Sequence, residues 1–230
     1  MPIQGAPDTL APVPSVTVEN YLKRILLLGE GRELVSMGML ARAMKVTPGT
    51  VTAMAKALAA EGLIEHRPRG GVRLTDSGRR TALNVVRRHR LVETFLVRTL
   101  KMDWADVHEE AEEMEHAISG RLMDRIDAVL GHPRTDPHGD PIPSAQGSVP
   151  GAVGQTLVTF PLHLSARVLR VRDQSAVFLG LVERLGLKPG AKVRVLERDL
   201  VSGIVQIGLR DGSRQPLGLA EAGKIEVYAG

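Results

Sequence analysis

A run of carboxylates bracketed by two histidines, residues 107–116, constrains the fold of this chain more than any other stretch. If the run is helical, four side chains fall within about a quarter turn of one helix face: His108, Glu112, Glu115 and His116. So much negative charge in one patch repels itself and opposes folding unless cations are present. A second pair, His89 and Glu93, has i,i+4 spacing and also shares a face. We therefore expect two facing helices that hold divalent metal ions.

Other ionisable residues are interpreted differently. Glu109, Glu110 and Glu113 lie at or beyond the edge of the histidine sector, which is typical of a solvated helix face. The remaining histidines have no carboxylate at helical spacing and are interpreted as surface or loop residues: His66, His132, His138 and His163.

The available donors are imidazole nitrogens and carboxylate oxygens, because the chain has no cysteine. This donor set suits Mn(II), Fe(II), Co(II) or Zn(II) rather than Cu(I) or an iron–sulfur cluster. By affinity order alone Zn(II) binds more tightly than Mn(II), so the metal in the cell depends on geometry and availability.

Charge is distributed unevenly along the chain. Residues 1–102 carry 16 Lys and Arg against 8 Asp and Glu, whereas residues 103–127 carry 2 against 9. This polarity suggests an anion-binding module next to a cation-binding one. The sequence has no apolar run of membrane-spanning length and no signal-peptide pattern in residues 1–15, so a cytoplasmic protein with no membrane partner is expected.

Three helix starts follow a proline-rich segment, residues 1–15, that is expected to be a flexible arm. Thr17 is predicted to cap a helix that ends near Leu28, and Ser36 a short helix over residues 37–44. Thr47-Pro48 then combines an N-cap with a proline at the first helical position. Two short helices joined by a tight turn are typical of a helix-turn-helix.

Two short predicted strands, residues 63–65 and 72–74, flank a glycine-rich tip and complete a winged helix. We expect this module to bind double-stranded DNA through the start of the recognition helix and the wing. The candidate contacts are Thr47, Gly49, Thr50, Thr52, Ala53, Arg67 and Arg69. The helix residues among them include no bidentate base reader, so thymine methyl contacts and DNA shape are expected to contribute to specificity.

The rest of the chain predicts a helical segment and a small β-rich domain. A long helix capped by Thr75 is expected to reach about Thr99, and the carboxylate helix to run from Asp103 to about Leu130. These helices carry more apolar surface than a winged helix can cover, which favours a homodimer. After a Pro- and Gly-rich segment, short strands and one helix predict a small, partly open β-barrel.

These motifs resemble the diphtheria toxin repressor family, with its iron- and manganese-dependent branches. The resemblance rests on the winged helix and on residues 88–93, 107–111, 115–116 and 136–143, and the barrel resembles a FeoA-like domain. It covers all but the N-terminal arm. It implies an α+β protein divided into a winged helix-turn-helix domain at 16–74, a helical dimerisation and metal-binding domain at 75–135, a linker at 136–154 and a FeoA-like (Src-homology-3-like) barrel at 155–230.

The resemblance also implies a function: a metal-dependent transcriptional regulator that binds palindromic operators as a dimer and controls metal-homeostasis genes. Carried over residue by residue, it implies an ancillary metal site of His89, Glu93 and His108, and a primary site of Glu112, Glu115, His116 and Asn20. Asn20 stands where the family has a methionine or aspartate ligand, with neighbouring Glu19 a possible substitute. The barrel offers Asp173, Gln174 or Glu183 to the ancillary site.

The same resemblance bears on the choice of metal. Glu112 stands where the iron-responsive branch has a sulfur ligand, and its hard oxygen favours Mn(II), with Fe(II) as the alternative and Zn(II), Co(II) or Cd(II) as in vitro substitutes. Lys23 replaces a glutamate of the manganese branch, which argues against a close two-metal site.

Two other functions are weighed beside this one. Residues 113–116 contain Glu-x-x-His, the ligand motif of di-iron carboxylate enzymes, but those proteins need a second such motif and this chain has only His89-x-x-x-Glu93. No enzymatic activity is therefore expected. In the other alternative, the barrel is the functional unit and binds a partner protein.

Overall fold

The computed structural model describes residues 15–29, 34–149, 151 and 153–230. The predicted flexible arm therefore lies outside the described residues, except for Ser15. The chain divides into two compact units, with the division after Val85. The mixed architecture of helices and antiparallel sheets confirms the predicted α+β class.

The first unit contains three helices: α1 (Val16–Leu28), α2 (Met37–Met44) and α3 (Pro48–Ala60). Their caps follow from short polar side chains that accept orphan backbone N–H groups. Ser36 caps α2, and Thr47 caps α3 with Pro48 at its start, as predicted. The prediction that Thr17 caps α1 is wrong. Ser15 does so instead, since its hydroxyl accepts the Val18 N–H at 3.3 Å and leaves Thr17 within the first turn.

The wing is a two-stranded antiparallel sheet of β1 (Ile64–Arg67) and β2 (Gly71–Leu74). Val35 bridges to Val72 and ties the segment before α2 to the wing. Gly71 has a φ of +112°, and a Cβ there would lie 2.3 Å from the carbonyl oxygen of Val35, so this approach requires glycine.

Helix α4 (Asp76–Arg98) begins beside the wing, where the Thr75 hydroxyl accepts the Gly78 N–H. The second unit continues with α5 (Val107–Met114) and α6 (Gly120–Val129). The prediction of one helix from Asp103 to about Leu130 is wrong. Ser119 caps a new helix by accepting the Leu122 N–H at 3.3 Å, so the chain turns over residues 115–119.

The C-terminal sheet has six antiparallel strands in the order β3-β8-β4-β5-β6-β7. The strands are β3 (Gln155–Thr156), β4 (Ser165–Val171), β5 (Lys192–Asp199), β6 (Ile204–Leu209), β7 (Arg214–Gly218) and β8 (Ile225–Ala229), with α7 (Ala176–Arg184) and α8 (Leu219–Ala222) between them. β7 contains Pro216, which cannot donate a backbone hydrogen bond. The structure makes β7 an edge strand, where a missing N–H is tolerated.

The hydrophobic core of the barrel includes a residue from outside the barrel domain. Trp104, from the segment before α5, is buried among the barrel residues Leu157, Val168 and Leu179. The segment interpreted as a linker is folded where it follows α6, because Thr135 bridges to Pro141 and Ile142 is buried among the helices. Within the described residues, no helix is both long and apolar enough to cross a membrane.

Candidate metal centre and nucleic-acid interface

The predicted ancillary residues come together between α4 and α5. His89 and Glu93 lie one turn apart on α4 and are buried. Nε2 of His89 lies 3.0 Å from Oε1 of Glu93 and 3.1 Å from Nδ1 of His108. Nδ1 of His108 lies 3.3 Å from the same Glu93 oxygen. Two imidazoles and one carboxylate with donor atoms this close form a geometry that can hold a divalent ion.

Three of the residues predicted for the primary site lie beside this cluster. His89 reaches Oε2 of Glu115 through its other ring nitrogen, Nδ1, at 2.7 Å, and it groups with Glu112 and Glu115 in a second possible metal site. Nε2 of His116 lies 3.2 Å from Oε1 of Glu115. His89 therefore contacts residues of the predicted ancillary site and of the predicted primary site. The sequence had placed it in the ancillary site alone.

A third cluster joins Glu93 to Asp136 and His138, all three of them buried. His138 lies in a turn after α6, so its interpretation as a loop residue holds, but it is buried rather than at the surface. Its ring lies beside Glu93 of α4 and Asp136 of its own turn. The sequence pattern did not identify Asp136 and His138 as candidate ligands, because their partner Glu93 lies on another element and not at helical spacing. The available signal was Asp136-Pro137-His138, which pairs an acid and an imidazole across a turn.

Three buried atoms of this cluster have no hydrogen-bond partner within the described part of the chain: Oε2 of Glu93, Oδ2 of Asp136 and Nδ1 of His138. Leaving such atoms unsatisfied is costly. Burial, with the charges of Asp140 and Glu93, raises the pKa of the Asp136 carboxyl to about 7. A divalent cation would satisfy all three atoms, so the residues present fit a metal ion.

Neighbouring groups orient the ligand atom of His138. Its Nε2–H donates to the backbone carbonyl of Trp104 at 2.8 Å, so Nδ1 is the nitrogen that faces Glu93 and the one that a metal ion could use. The Trp104 ring stacks on the imidazole with centroids 5.4 Å apart. Gly139 has a φ of +90° and passes so close to β4 that a Cβ would lie 2.2 Å from the carbonyl oxygen of Leu169. This close contact fixes the turn that presents His138.

The electrostatics of Glu93 are unusual for a buried carboxyl. Burial opposes its ionisation, but His108, His138 and His89 hold its pKa well below the usual range. Burial also lowers the pKa of His138, but the charge of Glu93 raises it overall. Glu93 is therefore an anion at the junction of two clusters, which is the state that a metal ion requires.

The barrel residues suggested for the ancillary site have other contacts. Gln174 donates its side-chain N–H to Asp140 at 3.0 Å, and Asp173 pairs with Lys224 at 2.9 Å. Glu183 pairs with Lys188 at 2.5 Å. Among the residues that the structure describes, neither Asp173 nor Glu183 belongs to a metal-competent cluster.

Asn20 lies half-buried on α1, beside the buried Glu19 and one turn before the buried Lys23. Since α1 belongs to the first unit and the clusters above to the second, ligation by Asn20 or Glu19 stays a prediction. Glu109, Glu110 and Glu113 are exposed, which agrees with their interpretation as a solvated face.

The predicted DNA contacts lie at the start of α3 and on the wing. Thr47, Gly49, Thr50 and Ala53 are exposed and Thr52 is half-buried. The Thr52 hydroxyl donates to the Pro48 carbonyl at 2.8 Å, so the side chain offers mainly its methyl group outward. Arg67 and Arg69 are exposed at the wing, Arg69 with a φ of +62° at its tip. The start of α3 provides methyl and hydroxyl groups and no bidentate base reader, whereas the wing provides two guanidinium groups.

Comparison with known proteins matches all three parts of the chain. The family models are "Iron dependent repressor, N-terminal DNA binding domain" at residues 15–72, "Iron dependent repressor, metal binding and dimerisation domain" at 75–144 and "FeoA domain" at 155–229. The iron-dependent repressor IdeR of Mycobacterium tuberculosis (strain ATCC 25618 / H37Rv) is 32% identical over 193 residues, covering 78% of this chain and 83% of its own. The chain belongs to the diphtheria toxin repressor family.

Further relatives agree with this assignment. The diphtheria toxin repressor of Corynebacterium glutamicum is 28% identical over 191 residues, 78% of this chain and 83% of its own. A solved manganese-dependent transcriptional repressor in complex with manganese is 41% identical, with a TM-score of 0.86, over 92% of this chain and 99% of that one. ScaR with bound Cd²⁺ is 32% identical, with a TM-score of 0.80 and the same coverage. The chain is a metal-dependent, DNA-binding repressor.

Proposed function

We propose that this repressor responds to Mn(II), with Fe(II) as the alternative, and binds palindromic operators as a homodimer to control metal-homeostasis genes. The observation that carries the choice of metal is the donor set: the clusters bring together imidazole nitrogens and carboxylate oxygens, and Glu112 lies in the group with His89 and Glu115. Hard carboxylate oxygens suit Mn(II). A solved relative named as manganese-dependent supports this choice, whereas the curated relative IdeR is named as iron-dependent.

The proposed ligands divide into two sites. The primary site consists of Glu112, Glu115 and His116, with Asn20 or Glu19 of α1 as a further ligand. The ancillary site consists of His89, Glu93 and His108, and the orphaned atoms of Asp136 and His138 favour extending it around Glu93. A bound cation supplies positive charge that neutralises these carboxylates and holds their helices together.

Metal and operator are then linked thermodynamically. If α1 contributes a ligand, metal binding favours one placement of the winged helix, and DNA favours the same placement. The coupling is reciprocal and is typically about 1–3 kcal/mol. In a dimer, the two recognition helices would contact half-sites about one DNA turn apart.

The test is operator binding followed by fluorescence anisotropy, on an operator selected from random duplexes in the presence of Mn(II). We expect Mn(II) to raise affinity by roughly 5- to 150-fold, and Glu112→Ala to remove this rise. Glu109→Ala, an exposed carboxylate on the same helix, is the matched control and should behave as wild type. Equal affinity with and without metal in the wild type would refute the proposal, and a larger response to Fe(II) under anaerobic conditions would reassign the metal.

The alternative of a di-iron enzyme has less support, because the family consists of transcriptional repressors. Oxygen consumption by the Fe(II)-loaded protein would favour it.

A further inference from the structure

The outer face of the barrel carries a cluster of cations that the proposed function does not use. Two adjoining depressions of about 650 and 480 Å³ open on this face and share Lys192, Leu209 and Arg210 as lining residues. We define the basic groove by the six cations that line the two depressions: Arg167, Arg184, Lys192, Arg194, Arg210 and Arg214.

The strand register explains why these side chains share one face. Arg194 of β5 lies opposite Gly208 of β6, which lies opposite Arg214 of β7. Cross-strand partners point to the same side of a sheet, and the neighbours of Arg194, Val193 and Val195, are buried on the other side. Gly208 has no side chain between the two arginines, and the Leu196 side chain of β5 lies beside it, 3.4 Å from where a Cβ would stand. Their backbones lie about 10 Å apart, twice the usual strand spacing.

The charge of the groove is largely uncompensated. In the described part of the chain, Arg184, Lys192, Arg194, Arg210 and Arg214 form no ion pair within 4.0 Å, whereas Arg170 and Arg172 both pair with Glu226. Two carboxylates also line the groove. Glu183 pairs with Lys188, and Asp211 accepts hydrogen bonds from the backbone and hydroxyl of Ser213. Six cations against two carboxylates leave a positive potential that attracts anions.

The chemistry of the lining indicates which polyanion fits. Guanidinium and ammonium groups donate hydrogen bonds to phosphate oxygens. No aromatic side chain lines either depression, so bases cannot stack as they do in single-strand binding sites, and the aromatic anchors typical of protein interfaces are absent as well. The phosphate backbone of a DNA duplex can be bound without base stacking and without aromatic anchors. The barrel is also tethered to a DNA-binding domain, which raises the local concentration of DNA at the groove.

We propose that the basic groove binds the phosphate backbone of duplex DNA as a second, sequence-independent contact of this repressor. The inference rests on the DNA binding of the family and extends it to the barrel. It requires neither a particular operator nor a particular metal.

The test uses the full-length, Mn(II)-saturated protein and a labelled duplex of random sequence, titrated at 50 to 200 mM KCl. Arg194→Gln/Arg214→Gln removes two groove cations, and Arg98→Gln/Lys101→Gln removes two exposed cations outside the barrel. Each lost phosphate contact lowers the slope of log K against log salt by about 0.9. We therefore expect the groove variant to lose about 1.8 of slope and the control variant none.

Two further variants separate the loss of charge from a change in side-chain shape or in folding. Arg194→Lys/Arg214→Lys retains the charge and should restore most of the slope. If the first variant melts differently from wild type by circular dichroism, Lys192→Gln/Arg210→Gln replaces it with the same expectation.

An unchanged slope in the groove variants overturns the proposal. Groove-dependent binding of a labelled polyglutamate peptide without any change in the DNA slope also overturns it, in favour of an acidic protein partner. The random duplex isolates this contact from the metal response, which is measured separately on the operator with Glu112→Ala, so the two proposals can fail independently.

Discussion

The imidazole of His138 lies between the ring of Trp104 and the carboxylates of Glu93 and Asp136. Its Nε2–H is held by a backbone carbonyl, so its Nδ1 is directed toward the acids before any ion arrives. Such preorientation reduces the conformational cost of binding and fixes the tautomer that a metal needs. The same stacking places the chain's single tryptophan directly beside a candidate ligand.

This contact predicts an optical signal for metal binding. Mn(II) titration of the wild type should change Trp104 emission saturably, because the ring stacks on a residue that would ligate the ion. His138→Gln should weaken the metal affinity read from this signal by at least about tenfold, since losing even a group that only supports a ligand costs about that much.

His163→Gln, at an exposed loop histidine, is the control. A tryptophan signal that saturates identically in the two variants would exclude His138 as a ligand.

Glycines at close backbone contacts determine how the elements of the first unit join. Gly78 lies in the first turn of α4, where a Cβ would lie 1.9 Å from the carbonyl oxygen of Leu63 at the start of the wing. Gly38 of α2 has open space, with the tip of the Arg42 side chain 3.9 Å away. The two residues are both helical glycines, but only Gly78 is required by packing.

The contrast predicts opposite effects of the same substitution. Gly78→Ala should destabilise the protein by about 3 kcal/mol, because a backbone atom must move to accept the methyl group. Gly38→Ala should stabilise it by up to about 1 kcal/mol, because glycine loses more backbone entropy in a helix. Denaturant unfolding followed by circular dichroism measures both, and equal stability of the two variants would contradict the close contact.

Helix α6 suggests how the whole molecule associates. Met123 and Ile126 are buried within the unit, whereas Leu122 and Val129, at the edge of the same apolar face, are 50% and 72% exposed. The family model that covers this helix describes metal binding and dimerisation. An uncovered apolar edge in that region fits the proposed homodimer interface.

A charge on this edge should oppose association. We expect Leu122→Glu to weaken dimerisation by at least about tenfold, or about 1.4 kcal/mol, with a shift toward monomer in light scattering at micromolar concentration. Val177→Glu, at a residue of α7 that is 86% exposed, should leave the oligomeric state unchanged. If Leu122→Glu remains a dimer of wild-type affinity, the interface lies elsewhere.

Local signals predicted much of the secondary structure and of the ligand clusters. Ser36, Thr47 and Thr75 begin helices because a short polar side chain caps the nearest N–H groups whatever the rest of the fold does. His89 and Glu93 share a face because helical periodicity alone places them one turn apart. Ser15 was not identified because Thr17 offers a competing cap two residues later, and Ser119 was not identified because Ile118 and Leu122 continue the helical spacing across it.

The tertiary structure decided the partners of residues far apart in sequence. His138 reaches Glu93 through a turn held against β4, Trp104 joins the barrel core, and Arg194 and Arg214 share a groove because β5, β6 and β7 pair in register. Spacing along a chain determines neighbours within one helix or strand, where the backbone repeat is fixed. Contacts between elements depend on how the elements pack and on the path of the loops that join them. The spacing of residues in the acidic run around Glu112 does not determine either.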